Sequence, residues 1–457
     1  MHTENRQRFL ERLAREGAAA VVPAGRTLLR NNDCEHRFRP TSDFWYLTGF
    51  DEPDAVLVLT PHGEQARTTL FLRPKDPAAE VWTGRRLGEE RAVAELGVDQ
   101  AFPIDELWDR LPALFVGHDA LVYRQGEDEE RDARVQAAQR SSWRHRARDG
   151  GRAPLTWVDP ALWLHEERQT KSPAELDLMR RAAEIGAEAH RLAMAAAAPG
   201  RNECEIDALI AYTFRRHGCT GAAYESIVAG GANACILHYT RNDRPLREGD
   251  LLLVDAGAEW RYYASDITRT FPVDGTFTPD QRALYELVLG AQEAAIEAAV
   301  PGALFTLPHD TAIRHLVEGM LALGLLEGSL EEALEEQSYA RFTVHRTSHW
   351  LGLDVHDCGA YFDAGEPRRL RPGMVLTVEP GLYVAPDDET VEPRWRGMGI
   401  RIEDDVLITP EGREILSDGV PKNVDEVEAL CAVSSDPCLH DGSRLIRNQV
   451  HPPTPAR

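Results

Sequence analysis

Apolar residues recur along this chain with two different spacings, and the changes of spacing mark off its elements. AVLVL at positions 55–59 and TTLFL at 68–72 flank the polar stretch PHGEQAR, a pattern that predicts two adjacent buried strands joined by a turn. Upstream, Phe9 and Leu13 form an apolar edge on MHTENRQRFLERLAREG, which predicts a short surface helix ending at Gly17. Downstream come the charged helical stretches GEERAVAEL and EDEERDARVQAAQRSSWRHRAR, so the first part of the chain reads as a mixed α/β domain.

A new unit starts at Lys171-Ser172-Pro173-Ala174-Glu175, where an N-cap serine, a proline in the first turn and a glutamate three residues beyond the cap signal a helix. Leu176, Met179, Ala183 and Ile185 give that helix an apolar side, and Pro199-Gly200 stops it. Three segments follow from these signals: an N-terminal domain over 1–170, a second domain over 171–433 and a C-terminal tail over 434–457. The tail carries Pro437, Pro452, Pro453 and Pro455 with little periodicity, which predicts a loosely held segment.

Composition narrows the class of protein. At 457 residues, 28% charged and 43% hydrophobic, the chain is long enough for two or three buried cores and too ordinary for wholesale disorder. Its 75 acidic against 51 basic residues leave a net charge of -24, which argues against a nucleic-acid partner because phosphate binding needs a basic face. The longest apolar strings have strand length and no run reaches 18 residues, so no membrane span is predicted and a soluble protein is expected. Seven cysteines form no C-x-x-C pair, their odd number argues against a disulfide framework, and no signal peptide is recognisable; a cytoplasmic location is the expectation.

The segment LLLVDAGAEWRYYASDITRTF holds two β-rich runs around a polar break and predicts a hairpin. If its centre falls between Trp260 and Arg261, Asp255 and Asp266 stand directly opposite each other. Opposed carboxylates, with Cβ atoms about 5 Å apart, destabilise a sheet unless positive charge lies between them, and a pair of metal ions would supply it. Trp-Arg is a poor tight-turn pair. The alternative is that Asp255 caps a turn while Asp266 begins a strand.

Histidines supply a second cluster: His345, His349 and His356 lie in FTVHRTSHWLGLDVHDCG beside Asp354 and Asp357. No glutamate follows His345, so the H-E-x-x-H zinc helix is absent, and this cluster alone suits a structural role as well as a catalytic one. Glu379 closes MVLTVEPG and Glu403 sits within GIRIEDDVLIT. A carboxylate in an apolar run is costly to bury without a partner, and an exposed edge position is the alternative for each.

In this order the motifs resemble the pita-bread metallopeptidases, and among them the bacterial aminopeptidase P enzymes. VDAGAEWRYYASDITRTF, HWLGLDVHD, TVEPGLY and IRIEDDVLIT span most of the second domain, while RPTSDFWYLTGFDEPDAVLVL and VWTGRRLG in the first domain look like aminopeptidase P as well. The resemblance implies an α/β (α+β) protein in which the N-terminal domain precedes a pita-bread catalytic domain, a curved antiparallel sheet flanked by helices. It makes Asp255 and Asp266 ligands of one metal, His349 and Glu379 ligands of the other, and Asp266 and Glu403 the bridges. It further implies that His238 and His356 contact substrate or the developing oxyanion, that Tyr383 and Arg401 support them, and that His345 supports the site rather than binding metal. Trp82 resembles a tryptophan that reaches a neighbouring subunit's active site in tetrameric relatives, so a homo-oligomer, dimer or tetramer, is expected; an ordinary core or surface aromatic is the alternative. Asp33 and Arg37 lie in a loop similar to one used for subunit contacts, and no role is assigned to them.

The activity implied is that of a dinuclear metalloaminopeptidase removing the residue before a proline in second position, with a metal-bridging hydroxide as nucleophile, Glu379 as proton relay and His356 on the oxyanion. Four carboxylates and one imidazole form a hard, oxygen-rich set that favours manganese, with zinc or cobalt as alternatives. Two rivals share the fold: a prolidase restricted to Xaa-Pro dipeptides, and a non-catalytic peptide-binding module, which usually lacks some of the ligands intact here. A creatinase-like amidinohydrolase lacks this metal set.

Overall fold

The structure is a computed structural model that describes residues 1–62 and 67–432; the expected tail lies outside the described residues. Two compact units divide the chain, Met1–Arg168 and Gln169 onward.

The first unit is built on a six-stranded mixed sheet, in the order Gln100–Pro103, Thr68–Leu72, Ala55–Leu59, Ala18–Gly25, Ala120–Val122, Thr156–Val158. The two anticipated strands are present and antiparallel, with Leu57 opposite Leu70. All five residues of each are buried, because helices or other chain cover both faces, and this accounts for continuous apolar runs in place of alternation. The helix His2–Glu16 buries Phe9, Leu10 and Leu13 and ends at Gly17 in the left-handed conformation.

The second unit opens with the helix Pro173–Ala196, where the capping box between Ser172 and Glu175 is formed. Glu175 is nevertheless buried, its other carboxylate oxygen accepting a hydrogen bond from Tyr263, so the cap also ties the helix to the hairpin. Two three-stranded antiparallel sheets carry the unit: Thr268–Pro272, Leu251–Asp255, Ile227–Gly230 in one, and Val375–Val378, Asp404–Thr409, Gly412–Ile415 in the other. They are stitched together where Glu403 N–H donates to Thr268 O at 3.0 Å and Asp266 N–H donates to the Asp405 carboxylate at 3.2 Å. With the helices Glu203–Arg216, Pro279–Ala298, Leu307–Ala322 and Val424–Ala432 around them, these sheets form the helix-flanked antiparallel architecture expected of a pita-bread domain. One continuous core joins Phe214, Val254, Phe271, Leu316, Trp350, Leu376 and Ile402.

The hairpin forms, but its register departs from the expected one. Asp255 pairs with Thr268, and Trp260 with Tyr263, so the turn falls at Arg261-Tyr262, both with positive φ. Two non-glycine residues therefore adopt the conformation that a tight primed turn demands of its central pair. Asp266 is diagonal to Asp255, not opposite it. Because strand side chains alternate with period two, a displacement of two positions keeps both aspartates on one face. Gly257 permits the close approach within the hairpin: a Cβ there would meet Ser265 O at 1.7 Å.

Candidate metal centre

Four segments converge on one cleft of about 360 Å³, lined by Asp255, Asp266, His349, Glu379 and Glu403 together with His238, His345, His356, Arg401 and Tyr224. Asp255 ends one strand and Asp266 lies on the return of its hairpin, between Tyr263–Ala264 and Thr268–Pro272; Glu379 follows the strand Val375–Val378; Glu403 precedes the strand Asp404–Thr409. Strand ends suit this task, since the backbone is held by its ladder while the side chain leaves the core. Asp266, His349 and Glu403 each offer a ligand atom, all within 4.8 Å of one another. His349 Nε2 is 3.3 Å from Asp266 Oδ2 and 3.5 Å from Glu379 Oε1.

The orientation of His349 is set from behind. Its Nδ1–H donates to Trp350 O at 3.0 Å, which leaves Nε2 free to face the carboxylates, the usual arrangement for an imidazole ligand. Glu403 is held by Thr268 Oγ1 at 2.6 Å, and Asp255 by Arg401 Nη2 at 2.5 Å. Arg401 also donates to the Tyr383 hydroxyl at 2.9 Å, which lies 2.8 Å from His345 Nε2, so these three form one chain behind the ligands.

Charge in the cleft fits a cation. Burial, reinforced by neighbouring carboxylates, raises Glu403 well above the usual carboxylate range, pushes Glu379 up to about 7 and raises Asp255 despite the Arg401 guanidinium. His349, which burial alone would lower, is pushed up to about 9 by Asp266 and Glu379. Tyr224 shows the same shortage of positive charge: its hydroxyl lies 2.6 Å from Asp255 Oδ1 and 2.5 Å from Asp266 Oδ1, yet carries one proton for the two. An oxygen-rich, buried and under-neutralised donor set of this kind is suited to hard divalent ions.

His238 and His356 are exposed to the cleft, the His356 ring lying 4.4 Å from that of His349 in an edge-to-face arrangement, and burial together with His349 lowers the His356 pKa. His345 sits deeper, burial and Arg401 lowering it to about 4. Glu379 and Glu403 leave no room for the exposed-edge alternative, since only 17% and 2% of their surfaces remain accessible. Trp82 belongs to the first unit, on the helix Pro77–Thr83, and 87% of it is exposed.

Several supporting residues escaped the sequence. Tyr224, in GAAYESIVAG, carries no local signal. Asp405 had one: Glu403, Asp404 and Asp405 are three consecutive acids in an apolar run, and all three are buried with different partners. Asp404 accepts from Arg269 and Lys422, both at 2.7 Å, whereas Asp405 accepts the backbone N–H of Asp266. Tyr224→Phe should leave the fold intact and weaken metal retention by roughly 10- to 100-fold, the usual effect of losing a partner to a ligand; manganese titration calorimetry on the variant measures it.

Comparison with known proteins matches the description of metallopeptidase family M24 over residues 177–410 and that of the aminopeptidase P N-terminal domain over residues 2–123. The chain belongs to metallopeptidase family M24. It is 44% identical, over 93% of its length and 96% of the relative's, to the Xaa-Pro aminopeptidase of Escherichia coli K12. The structure of Pseudomonas aeruginosa aminopeptidase PepP superposes with a TM-score of 0.91 at 45% identity, covering 95% of this chain and 98% of that one. A variant of E. coli aminopeptidase P solved in complex with substrate superposes with a TM-score of 0.90 at 43% identity, covering 95% and 98%.

Proposed function

We propose that this chain is a metal-dependent Xaa-Pro aminopeptidase, releasing the N-terminal residue from peptides whose second residue is proline. The observation that carries it is the convergence of five metal-competent side chains with three histidines and an arginine in one cleft. Asp255, Asp266 and Glu403 would hold one divalent ion, and Asp266, His349, Glu379 and Glu403 a second. The hard donor set supports manganese.

Bound divalent ions polarise a carbonyl and lower the pKa of water from about 15.7 to about 7. The protein's own groups do the rest. Glu379, one oxygen 3.5 Å from His349 Nε2 and the other 3.6 Å from His345 Nδ1, takes the proton of the attacking water and returns it to the imino nitrogen of the leaving proline. His356, its pKa lowered by partial burial and by His349, donates an N–H to the oxygen that becomes negative, with His238 on the same cleft to bind the substrate. Arg401 and Tyr383 hold Asp255 and His345 in place. A bond to proline is a tertiary amide with no N–H, so recognition depends on shape more than on backbone pairing.

The reading extends to a cytoplasmic homo-oligomer. None of the six described cysteines is in a disulfide, which supports a reducing compartment, and the exposed Trp82 indole is available to contact substrate bound by a second copy. Among the described residues no helix is long and apolar enough to cross a membrane.

A panel of Xaa-Pro-Xaa tripeptides assayed with added manganese beside Xaa-Pro dipeptides tests the reading. Tripeptides should be cut after the first residue and dipeptides left intact; dipeptide cleavage alone would make the chain a prolidase, and no cleavage of either a binding module. Run on Trp82→Ala, the same panel should show a raised KM, and an unchanged KM removes Trp82 from the site.

A further inference from the structure

Lys171 and Asp357 form an ion pair at 3.0 Å with 1% of each side chain accessible, and nothing described so far uses it. Such a pair is weak evidence for stability, because desolvating both charges offsets most of their attraction. Its place in the chain suggests a different use. Lys171 lies just before the capped helix Pro173–Ala196, its own N–H donating to Gly373 O at 2.8 Å, so the ammonium projects from a fixed backbone. Asp357 directly follows His356.

The loop from His349 to Asp357 is closed on one carbonyl. Trp350 O accepts the Asp357 N–H at 2.9 Å and also the His349 Nδ1–H at 3.0 Å. The first bond brings the end of the loop back to its start, which sets the two imidazoles edge to face; the second fixes the tautomer of His349. The first depends on where residue 357 is held, and the Asp357 carboxylate is held by Lys171, whereas the second is local to His349 and Trp350. Gly352 makes room for this anchor: a Cβ there would stand 2.2 Å from Asp357 Oδ2 and 2.9 Å from Lys171 Cε.

We infer that the buried Lys171–Asp357 pair is a positioning device for the reaction, anchoring the loop so that His356 faces the substrate carbonyl beside His349. It acts through His356 and touches neither substrate nor metal. The inference rests on the role given above to His356, and the two can fail separately.

The test is a mutant cycle on the full-length, manganese-loaded protein. Lys171→Met combined with Asp357→Leu replaces both charges by apolar groups, a change that buried pairs often tolerate without loss of stability. Expected are a wild-type melting temperature and manganese content, KM within about twofold, and kcat reduced on the order of 10- to 100-fold, the range seen when a supporting partner is lost. In a His356→Ala background the same pair of changes should lower kcat no further, because residues acting through one another are not additive. Should the double variant not fold, Lys171→Met combined with Asp357→Asn removes both charges with the side-chain volume at 357 kept. A folded pair variant with wild-type kcat overturns the inference, and so do losses that multiply in the His356→Ala background. If His356→Ala alone leaves kcat unchanged, the role assigned to His356 fails instead.

Discussion

Asp266→Ala is expected to abolish both manganese retention and peptide turnover, with activity falling by at least roughly 10³-fold to the assay background. Asp266 meets several groups at the centre: its carboxylate lies 3.3 Å from His349 Nε2 and 2.5 Å from the Tyr224 hydroxyl, and its ligand atom belongs to the cluster with His349 and Glu403. Losing the cation forfeits several units of water acidification at about 1.36 kcal/mol each, so even partial loss spans decades of rate. The fold should survive, because the Asp266 contact that joins the two sheets uses its backbone N–H on Asp405 and does not need the side chain. Elemental analysis and a tripeptide assay on a variant with an unchanged circular dichroism spectrum check this; full activity would sink the ligand assignment.

Stripping the metal by chelation should likewise remove turnover, with recovery on adding manganese, and should give the stripped protein an unusual pH dependence of stability. Glu379 in the metal-free fold titrates at about 7, above the ordinary 4.5, so the folded state keeps a proton that the unfolded chain releases between those values. Stability therefore falls as pH rises from about 4.5 to about 7. His349 adds to the trend: raised from 6.5 to about 9, it contributes stability that is fully present below 6.5 and lost as pH rises through 9. The melting temperature of stripped protein should thus drop between pH 5 and pH 9, on the order of 5 °C or more for a domain of this size. Metal binding competes with the same protons, so the loaded protein should gain most over the stripped one at the alkaline end. Differential scanning calorimetry of both forms across that range measures it. A flat profile for the stripped protein would show that the carboxylates are not crowded as described.

Much of the architecture was legible because it is local. The runs at 55–59 and 68–72, the capping box at Ser172 and the glycine stop at Gly17 each depend on neighbours within a few residues, and each formed where expected. The chemical types at the site were legible too, since acids within apolar runs cannot be buried cheaply without a cation. The hairpin register was not. Its turn fell at Arg261-Tyr262, a pair that propensity does not favour, because the packing of the flanking strands settled the matter. The two aspartates survived that error only because the displacement was even.

What the sequence determined by itself was the kind of element at each stretch, the face on which Asp255 and Asp266 project, and the hard-ligand character of the acids and imidazole. Tertiary structure decided which of them meet. His349, Glu403 and Asp266 are separated by tens of residues, and their convergence depends on two sheets joined by the Glu403 and Asp266 backbone bonds. Tyr224 over the aspartates, Asp405 behind Asp266 and Lys171 against Asp357 are of the same kind, each a long-range pairing of polar groups. Local propensity acts over one turn of helix or a few strand residues, whereas the partner of a buried charge is chosen by whatever the whole core brings within hydrogen-bond reach.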